Sequence, residues 1–416
     1  MAKIGLMRPA GSKSRQYQGL EPLSAIEPPH WMLVRANTLM GKGHTVTLLD
    51  EALEGDHPHP ADLFHGCSHV EIWPGGVHPS AFVQERANIE SAIADLDGMD
   101  TRVIDTTMPK FDIATSPAWH GAPLSGYRPH NWQVWGESDN GVGYGTIHTS
   151  ISCPFNCDFC AIHGYYPAPY SRRAARDVER DIGTLYDKGV RTFKIMDELF
   201  IVGDMTETCS ILANFPGINV WGYARVDSIV PESEEMLSRA GIRWICLGYE
   251  SGNQDIRKSM HKGSFDNQHA YHLARRLRGA DIKVLGNFMF GFPDDNADTM
   301  AETLEFALKL VPEYANFYCM VAYPGTKVEE HALTMGWDLP SHPDQYAQYA
   351  YDFLPLRTHY LTAAEVLKFR DYAWDNYHAS NWYRTRIEHT LGSRAASDVT
   401  MMVVKKLRRK LLEKGN

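Results

Sequence analysis

The feature that most constrains this chain is a repeat of short apolar runs and amphipathic stretches from residue 146 onward, with a period of roughly 25 to 35 residues. Strands are predicted at 146–150, 192–195, 219–223, 244–247, 284–290 and 316–321, with helices at 174–188, 205–214, 232–240, 267–279 and 298–310. Such βα units build a parallel sheet, because each helical crossover returns the chain in the direction it left. Six of them make a partial (β/α)6 barrel, open on one side, with its chemistry expected at the carboxyl ends of the strands.

Those ends are polar. The first strand runs into Cys153-Pro154-Phe155-Asn156-Cys157-Asp158-Phe159-Cys160, the second into Met196-Asp197-Glu198 and the third into Tyr223-Ala224-Arg225-Val226-Asp227. The fourth ends in Gly248-Tyr249-Glu250-Ser251-Gly252 and the fifth in Gly291-Phe292-Pro293-Asp294-Asp295. Three of the seven cysteines thus fall within eight residues. Thiolates are soft ligands for zinc or an iron–sulfur cluster, and three from one loop can hold three corners of a four-iron cluster, leaving the fourth iron open to a substrate or cofactor. The alternative is structural zinc, but such sites usually pair two C-x-x-C knuckles and no second pair is present. Cys67, Cys209, Cys246 and Cys319 stand alone and read as small buried hydrophobes.

At 416 residues, 44% hydrophobic and 22% charged, the chain can bury a large core in two or three domains. Its net charge of −10 argues against a broad nucleic-acid footprint and favours a small-molecule or protein partner. No apolar run approaches the roughly 18 residues of a membrane span, the first residues show no leader pattern, and the clustered cysteines suit a reducing compartment. A cytoplasmic protein without membrane contact is expected.

Ahead of the repeat, 3–8 reads as a strand, 28–40 as a helix ending at Gly41 and Gly43, and 44–49 as a strand closed by Asp50. Asp50 sits where a nucleotide-binding fold often meets a ribose, but no G-x-G-x-x-G precedes it, and an Asp that simply ends a strand is the plainer account. A further strand at 69–73 runs into Pro74-Gly75-Gly76-Val77-His78, with a helix predicted at 82–96. The paired glycines either let a ligand approach the backbone or make a tight turn. The stretch 112–140 carries Trp119, Tyr127, Trp132 and Trp135 among prolines and glycines and reads as an ordered linker, whose aromatics line a cavity or pack the connection down. In the tail, Tyr346, Tyr349, Tyr351 and Tyr360 precede a helix opened by the capping box Thr362-Ala363-Ala364-Glu365, expected to close the open side of the barrel. The basic run Lys405-Lys406-Leu407-Arg408-Arg409-Lys410 is predicted to be a solvated helix end.

The C-x-x-x-C-x-x-C loop, Phe159 before its third cysteine and the acidic pair after the second strand resemble the radical S-adenosylmethionine (SAM) superfamily over about residues 144–325. The N-terminal part resembles the cobalamin-binding domain that precedes many such enzymes, through Pro28-Pro29, Gly43-His44 and Gly75-Gly76-Val77-His78. It departs from that pattern twice. No Asp-x-His-x-x-Gly supplies a histidine below cobalt, and only about eighteen residues separate the second strand from the Gly-Gly strand, so one strand–helix unit is missing. His65 has the right type at the wrong spacing and is given no ligand role.

The resemblance implies an α/β fold: an N-terminal truncated, doubly wound, Rossmann-like and cobalamin-binding-like domain (1–110), a linker (111–143), the radical SAM partial barrel (144–330) and a helical C-terminal extension (331–416). It makes Cys153, Cys157 and Cys160 ligands of a [4Fe-4S] cluster whose open iron chelates SAM, and one electron then cleaves the sulfonium to methionine and a 5′-deoxyadenosyl radical. Asp197 and Glu198 stand where the family receives the SAM ammonium, unless they only cap a loop; Arg225 would meet the methionyl carboxylate. Glu250 and Ser251 would meet ribose hydroxyls or substrate, with structural salt bridging an equal alternative for Arg225 and Glu250. Asn287 either contacts adenine or ribose or satisfies neighbouring backbone, and Gly75, Gly76 and His78 would face cobalamin, the optional third cofactor. Glu250 and Cys319 are the catalytic candidates, a core position being the simpler account of Cys319.

The expected function is cobalamin-dependent methylation of an unactivated carbon in a small molecule, with an electron donor such as flavodoxin or ferredoxin. The alternatives are a cobalamin-independent radical dehydrogenation, cyclisation, epimerisation or rearrangement, and, in another class, a non-catalytic cobalamin- or metal-binding protein.

Overall fold

A computed structural model of the chain describes residues 1–10, 16–74, 86–104, 113–137, 142–166, 169–263 and 265–413. Gly75, Gly76 and His78 lie outside the described residues.

Among the described residues, the N-terminal part forms a parallel sheet of four strands in the order β2 (Thr45–Asp50), β1 (Lys3–Arg8), β3 (His69–Ile72), β4 (Thr101–Val103). β1 is buried over five consecutive residues rather than at every second one, as suits a central parallel strand covered on both faces. Helix α1 (His30–Gly41) starts behind Pro29, whose ring needs no helical N–H partner, and ends before Gly43 at φ +81°. Its Met32, Ala36 and Leu39, at i, i+4 and i+7, pack on Ile4 and Leu6, while Leu33 joins the core of the barrel. One helix therefore belongs to both cores. The order 2-1-3-4 puts a topological switch point between β1 and β3, where open α/β sheets bind ligands at their carboxyl ends. β4 was not predicted; it is a three-residue edge strand, Thr-Arg-Val, with no apolar run to announce it. Of the helix expected at 82–96, the described part is a 3-10 turn at Arg86–Asn88 followed by Ile89–Ala94.

The barrel sheet holds six parallel strands in sequence order: β5 (Gly145–Ile147), β8 (Thr192–Ile195), β9 (Asn219–Arg225), β10 (Ile242–Glu250), β11 (Lys283–Phe290) and β12 (Tyr314–Cys319). Helices α2 (Ala175–Asp187), α3 (Thr206–Ala213), α4 (Glu234–Arg239), α5 (Asn267–Gly279) and α6 (Ala297–Leu310) connect them. The first strand is shorter than expected. It stops at Ile147, and β6 (Ser150–Ile151) turns off to pair antiparallel with β7 (Ser171–Arg172), so that a two-stranded ribbon frames the cysteine loop.

The lumen of the barrel is covered by the linker and by the C-terminal segments. The linker brings Trp132 against Trp221 and Trp244, both 5.1 Å between ring centroids, and ties Trp135 Nε1 to Asp398 at 2.8 Å. Helix α7 (Ala363–His378) begins at the capping box, Thr362 Oγ1 accepting the Glu365 N–H and Glu365 accepting the Thr362 N–H; α8 (Asn381–Val404) follows, broken at Gly392. The basic run is not a helix end: α8 stops at Val404, residues 405–409 have no regular structure, and Arg409 is 3% exposed. Its guanidinium donates to the Gln348 carbonyl at 2.8 Å and pairs with Asp371, which turns the run into a strap.

Candidate active site

The cysteine loop is held rigidly before any metal is considered. Ser152 enters it at φ +68°, the Cys160 N–H donates to the Cys157 carbonyl at 3.0 Å, and the Asp158 N–H donates to the Met260 carbonyl at 3.2 Å. The Asp158 carboxylate also meets Lys327 at 2.9 Å and His261 at 3.0 Å, while Phe159 packs edge-on against Phe292. The loop is thereby fastened to the ends of the fourth, fifth and sixth units.

Burial pushes the Cys160 thiol up to about 12 and raises Cys153, the neighbouring thiols and Glu198 adding to both. A cationic metal offsets that cost, since it binds cysteine as the thiolate. Among the described residues no three His, Cys, Asp or Glu side chains converge on a point where one metal ion would sit. In a cluster each thiolate binds a different iron, so three ligands need not converge on one point. The residues present fit a four-iron cluster.

Behind the loop, inside the barrel, lies a cavity of about 600 Å³. Cys160 and Glu198 stand in its wall near the strand ends, and inward positions of successive strands continue it: Lys194 on β8, Tyr223 on β9, Cys246 on β10, Asn287 on β11 and Tyr318 on β12. Leu285, Asn287 and Met289 all face it, the period-2 alternation of one strand. Tyr17, Glu27, Trp132, Tyr349 and Trp374 come from the segments that close the seam.

Of the residues singled out by sequence, Cys160, Glu198, Asn287 and Cys319 line this cavity. Asn287 donates to Cys246 Sγ at 3.1 Å and accepts from Asn316 at 3.0 Å, and burial holds the Cys319 thiol at about 12. Asp197, next to Glu198, turns away: its carboxylate accepts the Thr149 N–H at 2.7 Å and the Ser150 hydroxyl at 2.7 Å, making the bend between β5 and β6. Burial raises it to about 6. Ser251 is fully buried against Thr303, 3.1 Å away, and accepts the Asn253 N–H.

Glu250, at φ +60° on a bulge of β10, pairs with Lys262 at 2.7 Å; a Cβ on Gly248 would stand 2.5 Å from the Glu250 carboxylate. Arg225 forks onto Asp227 beside Cys157. Asp50 is structural: Arg8 grips its carboxylate with two bonds of 2.7 and 2.8 Å, and the Tyr127 hydroxyl adds a third at 2.9 Å. Sequence reasoning passed over Lys194 and Asn316, while Cys246, read as a small buried hydrophobe, is buried and also lines the cavity. Lys194 was detectable by the argument applied to Asn287, as a lone polar residue in a buried strand.

Comparisons with known proteins bear on this geometry. The model of the Radical SAM superfamily matches residues 147–307. An uncharacterised methyltransferase of Pyrococcus horikoshii is 27% identical over 208 residues, 48% of this chain and 45% of that protein. The bacteriochlorophyllide d C-12(1)-methyltransferase of Chlorobaculum tepidum is 26% identical over 304 residues, 68% of this chain and 63% of that protein. The chain thus spans about half the length of the curated relatives it matches. Among solved structures, the radical SAM methyltransferase TsrM of Kitasatospora setae, with tryptophan and a SAM analogue bound, covers 86% of this chain and 85% of its own at TM-score 0.58 and 16% identity. The cobalamin-dependent radical SAM enzyme OxsB, with aqua-cobalamin and SAM bound, covers 97% of this chain and 72% of its own at TM-score 0.60 and 12% identity. Both share the fold of this chain over those spans. The match marks residues 147–307 as a Radical SAM superfamily domain.

Proposed function

We propose that the chain is a cobalamin-dependent radical SAM enzyme that methylates an unactivated carbon of a small molecule held in the barrel lumen. The observation that carries this is Cys160 in the wall of the lumen, on a loop whose other two thiols stand beside it. Cys153, Cys157 and Cys160 hold the cluster in this reading, and Glu198, on the same wall, receives the SAM ammonium. When bound, cluster and SAM supply reductive cleavage of the sulfonium, and cobalamin supplies the methyl carrier. The chain itself contributes exclusion of water, through the linker and C-terminal cover, and orientation of substrate by Asn287, Asn316 and Lys194. The switch point between β1 and β3 is the expected cobalamin edge, since the Gly75-Gly76 stretch follows β3 in sequence.

One observation keeps a second reading. Cys246 and Cys319 both line the lumen, and a thiol there can return a hydrogen atom to a substrate radical, which would serve epimerisation rather than methylation. Purification and reconstitution without oxygen test both. The first reading expects about four iron and four sulfide per chain, bound cobalamin, and equal yields of 5′-deoxyadenosine and methylated product. Failure to bind cobalamin, with 5′-deoxyadenosine still formed, hands the case to the second reading; absence of iron and sulfide ends both.

A further inference from the structure

The Arg225 guanidinium is almost fully committed. It has five N–H donors. Nε donates to Asp227 Oδ1 at 2.8 Å, Nη2 to Asp227 Oδ2 at 2.9 Å and to the Lys262 carbonyl at 2.5 Å, and Nη1 to Cys157 Sγ at 3.2 Å. Its face lies 3.9 Å from the ring centroid of Phe155, inside the cysteine loop, and its side chain is 6% exposed. Room for this arrangement is built into the backbone: a Cβ on Gly263, at φ +123°, would stand 2.4 Å from Asp227 Oδ2 and 2.5 Å from Arg225 Nη2. Four contacts from three elements thus fix the cation against a single sulfur. A group meant to grasp a diffusing carboxylate would keep a fork of donors free; Asp227 occupies this one.

We propose that Arg225 is a positioning residue of the cluster, acting through Cys157 to raise its reduction potential, and is not the group that receives the carboxylate of SAM. The inference rests on the cluster reading above. An N–H bond to a ligating thiolate, with a positive charge beside it, withdraws electron density from sulfur and favours the more negative, reduced cluster. Lys262, paired with Glu250 at 2.7 Å, adds a second cation near Cys157, partly offset by its own partner.

The test is a potentiometric titration of the reduced cluster, followed by electron paramagnetic resonance, on the anaerobically reconstituted full chain without SAM. Arg225→Met should retain its iron and show a lower midpoint, the ratio of reduced to oxidised cluster at a fixed poise falling about tenfold, which is about 59 mV for one electron. Arg225→Lys, with the charge but without the fork, should fall part of the way. Unchanged potentials at full iron content, with SAM affinity lost instead, would overturn the proposal and return Arg225 to the carboxylate role. If Arg225→Met cannot hold iron, the lysine variant decides alone: an unchanged midpoint refutes the proposal. Wild-type protein that takes up no iron and sulfide refutes the cluster reading itself.

Discussion

Asp295 shows how far a single buried carboxyl can govern this fold. Its Oδ2 accepts the N–H groups of Gly291 and Phe292 at 2.9 and 3.0 Å, and its Oδ1 accepts the Thr299 hydroxyl at 2.6 Å, so it closes the turn after β11. Burial outweighs those three bonds and, with Asp294 adjacent, lifts its pKa to about 6. The unfolded value is about 3.9. A raised folded pKa means that its contribution is full below about pH 4 and lost as pH rises through about 6. Asp295→Asn keeps the shape, its amide oxygen accepting the two N–H groups and its NH₂ facing the threonine hydroxyl, and does not titrate. Relative to that variant, the wild type should lose up to about 3 kcal/mol between pH 4 and 6 and change little above. Parallel denaturation midpoints of the two proteins across that range measure it, and a constant difference would refute it. Single residues were also where sequence reasoning stopped. Asp197 and Glu198 are adjacent and chemically alike, and nothing in the chain says that one will brace Thr149 and Ser150 while the other faces the lumen. That choice depends on where β5 ends, which is a property of the packed loop.

At the scale of elements, the barrel was legible because each unit repeats one physical requirement: a strand buried on both faces, then a helix with one apolar face. The expected helix at 267–279 is the observed α5, and that at 298–310 differs from α6 (Ala297–Leu310) by one residue. Elements without such a signature were missed: β4 at an edge, and the two-residue β6 and β7, too short to carry a periodic pattern. The basic run misled for a related reason, since helical spacing of charges says nothing of Asp371 and the carbonyls that claim Arg409. One helix end carries strain. α6 finishes at Val311 with φ 51° and ψ 52°, a left-handed conformation that a β-branched side chain strongly resists. Arg278 holds it by donating to the carbonyls of Leu310 and Val311, both at 2.6 Å, and Pro312 then stops the helix. Val311→Gly preserves both bonds and removes the clash; even after the extra freedom of an unfolded glycine, stability should rise by about 1 kcal/mol. A lower denaturation midpoint for this variant would show that Val311 contributes more by packing than it costs in strain.

For the whole molecule, the question is what keeps the N-terminal part seated on an open barrel. His30 Nδ1 lies 3.3 Å from the Thr146 hydroxyl, and Trp31 donates to the Tyr166 hydroxyl at 3.2 Å and packs 4.7 Å from the His148 ring. These contacts join the start of α1 to the strand and loop that carry the cysteines. Burial holds His30 neutral, its pKa lowered to about 3, so that end of the joint should not respond to physiological pH. The charged part of the joint is different. Lys194 on β8 meets Glu27, two residues ahead of Pro29, at 2.7 Å, with side chains 3% and 22% exposed, and both line the lumen. The unequal burial makes the two single variants unequal. Glu27→Gln leaves the 3% exposed Lys194 ammonium with a neutral amide oxygen and the Trp221 and Tyr223 rings, 5.0 and 5.9 Å from its Nζ, in place of a carboxylate; loss of the charged partner in such a buried pair costs up to about 3–5 kcal/mol. Lys194→Met instead leaves a carboxylate that can hydrate at the seam and should cost less. The double variant, with no stranded charge, should recover most of the loss in Glu27→Gln, because an apolar replacement of a buried pair is often close to neutral. Denaturation followed by tryptophan fluorescence, read as midpoint shifts in the four proteins of this cycle, ranks them. Strictly additive losses would mean that the pair does not join the two parts.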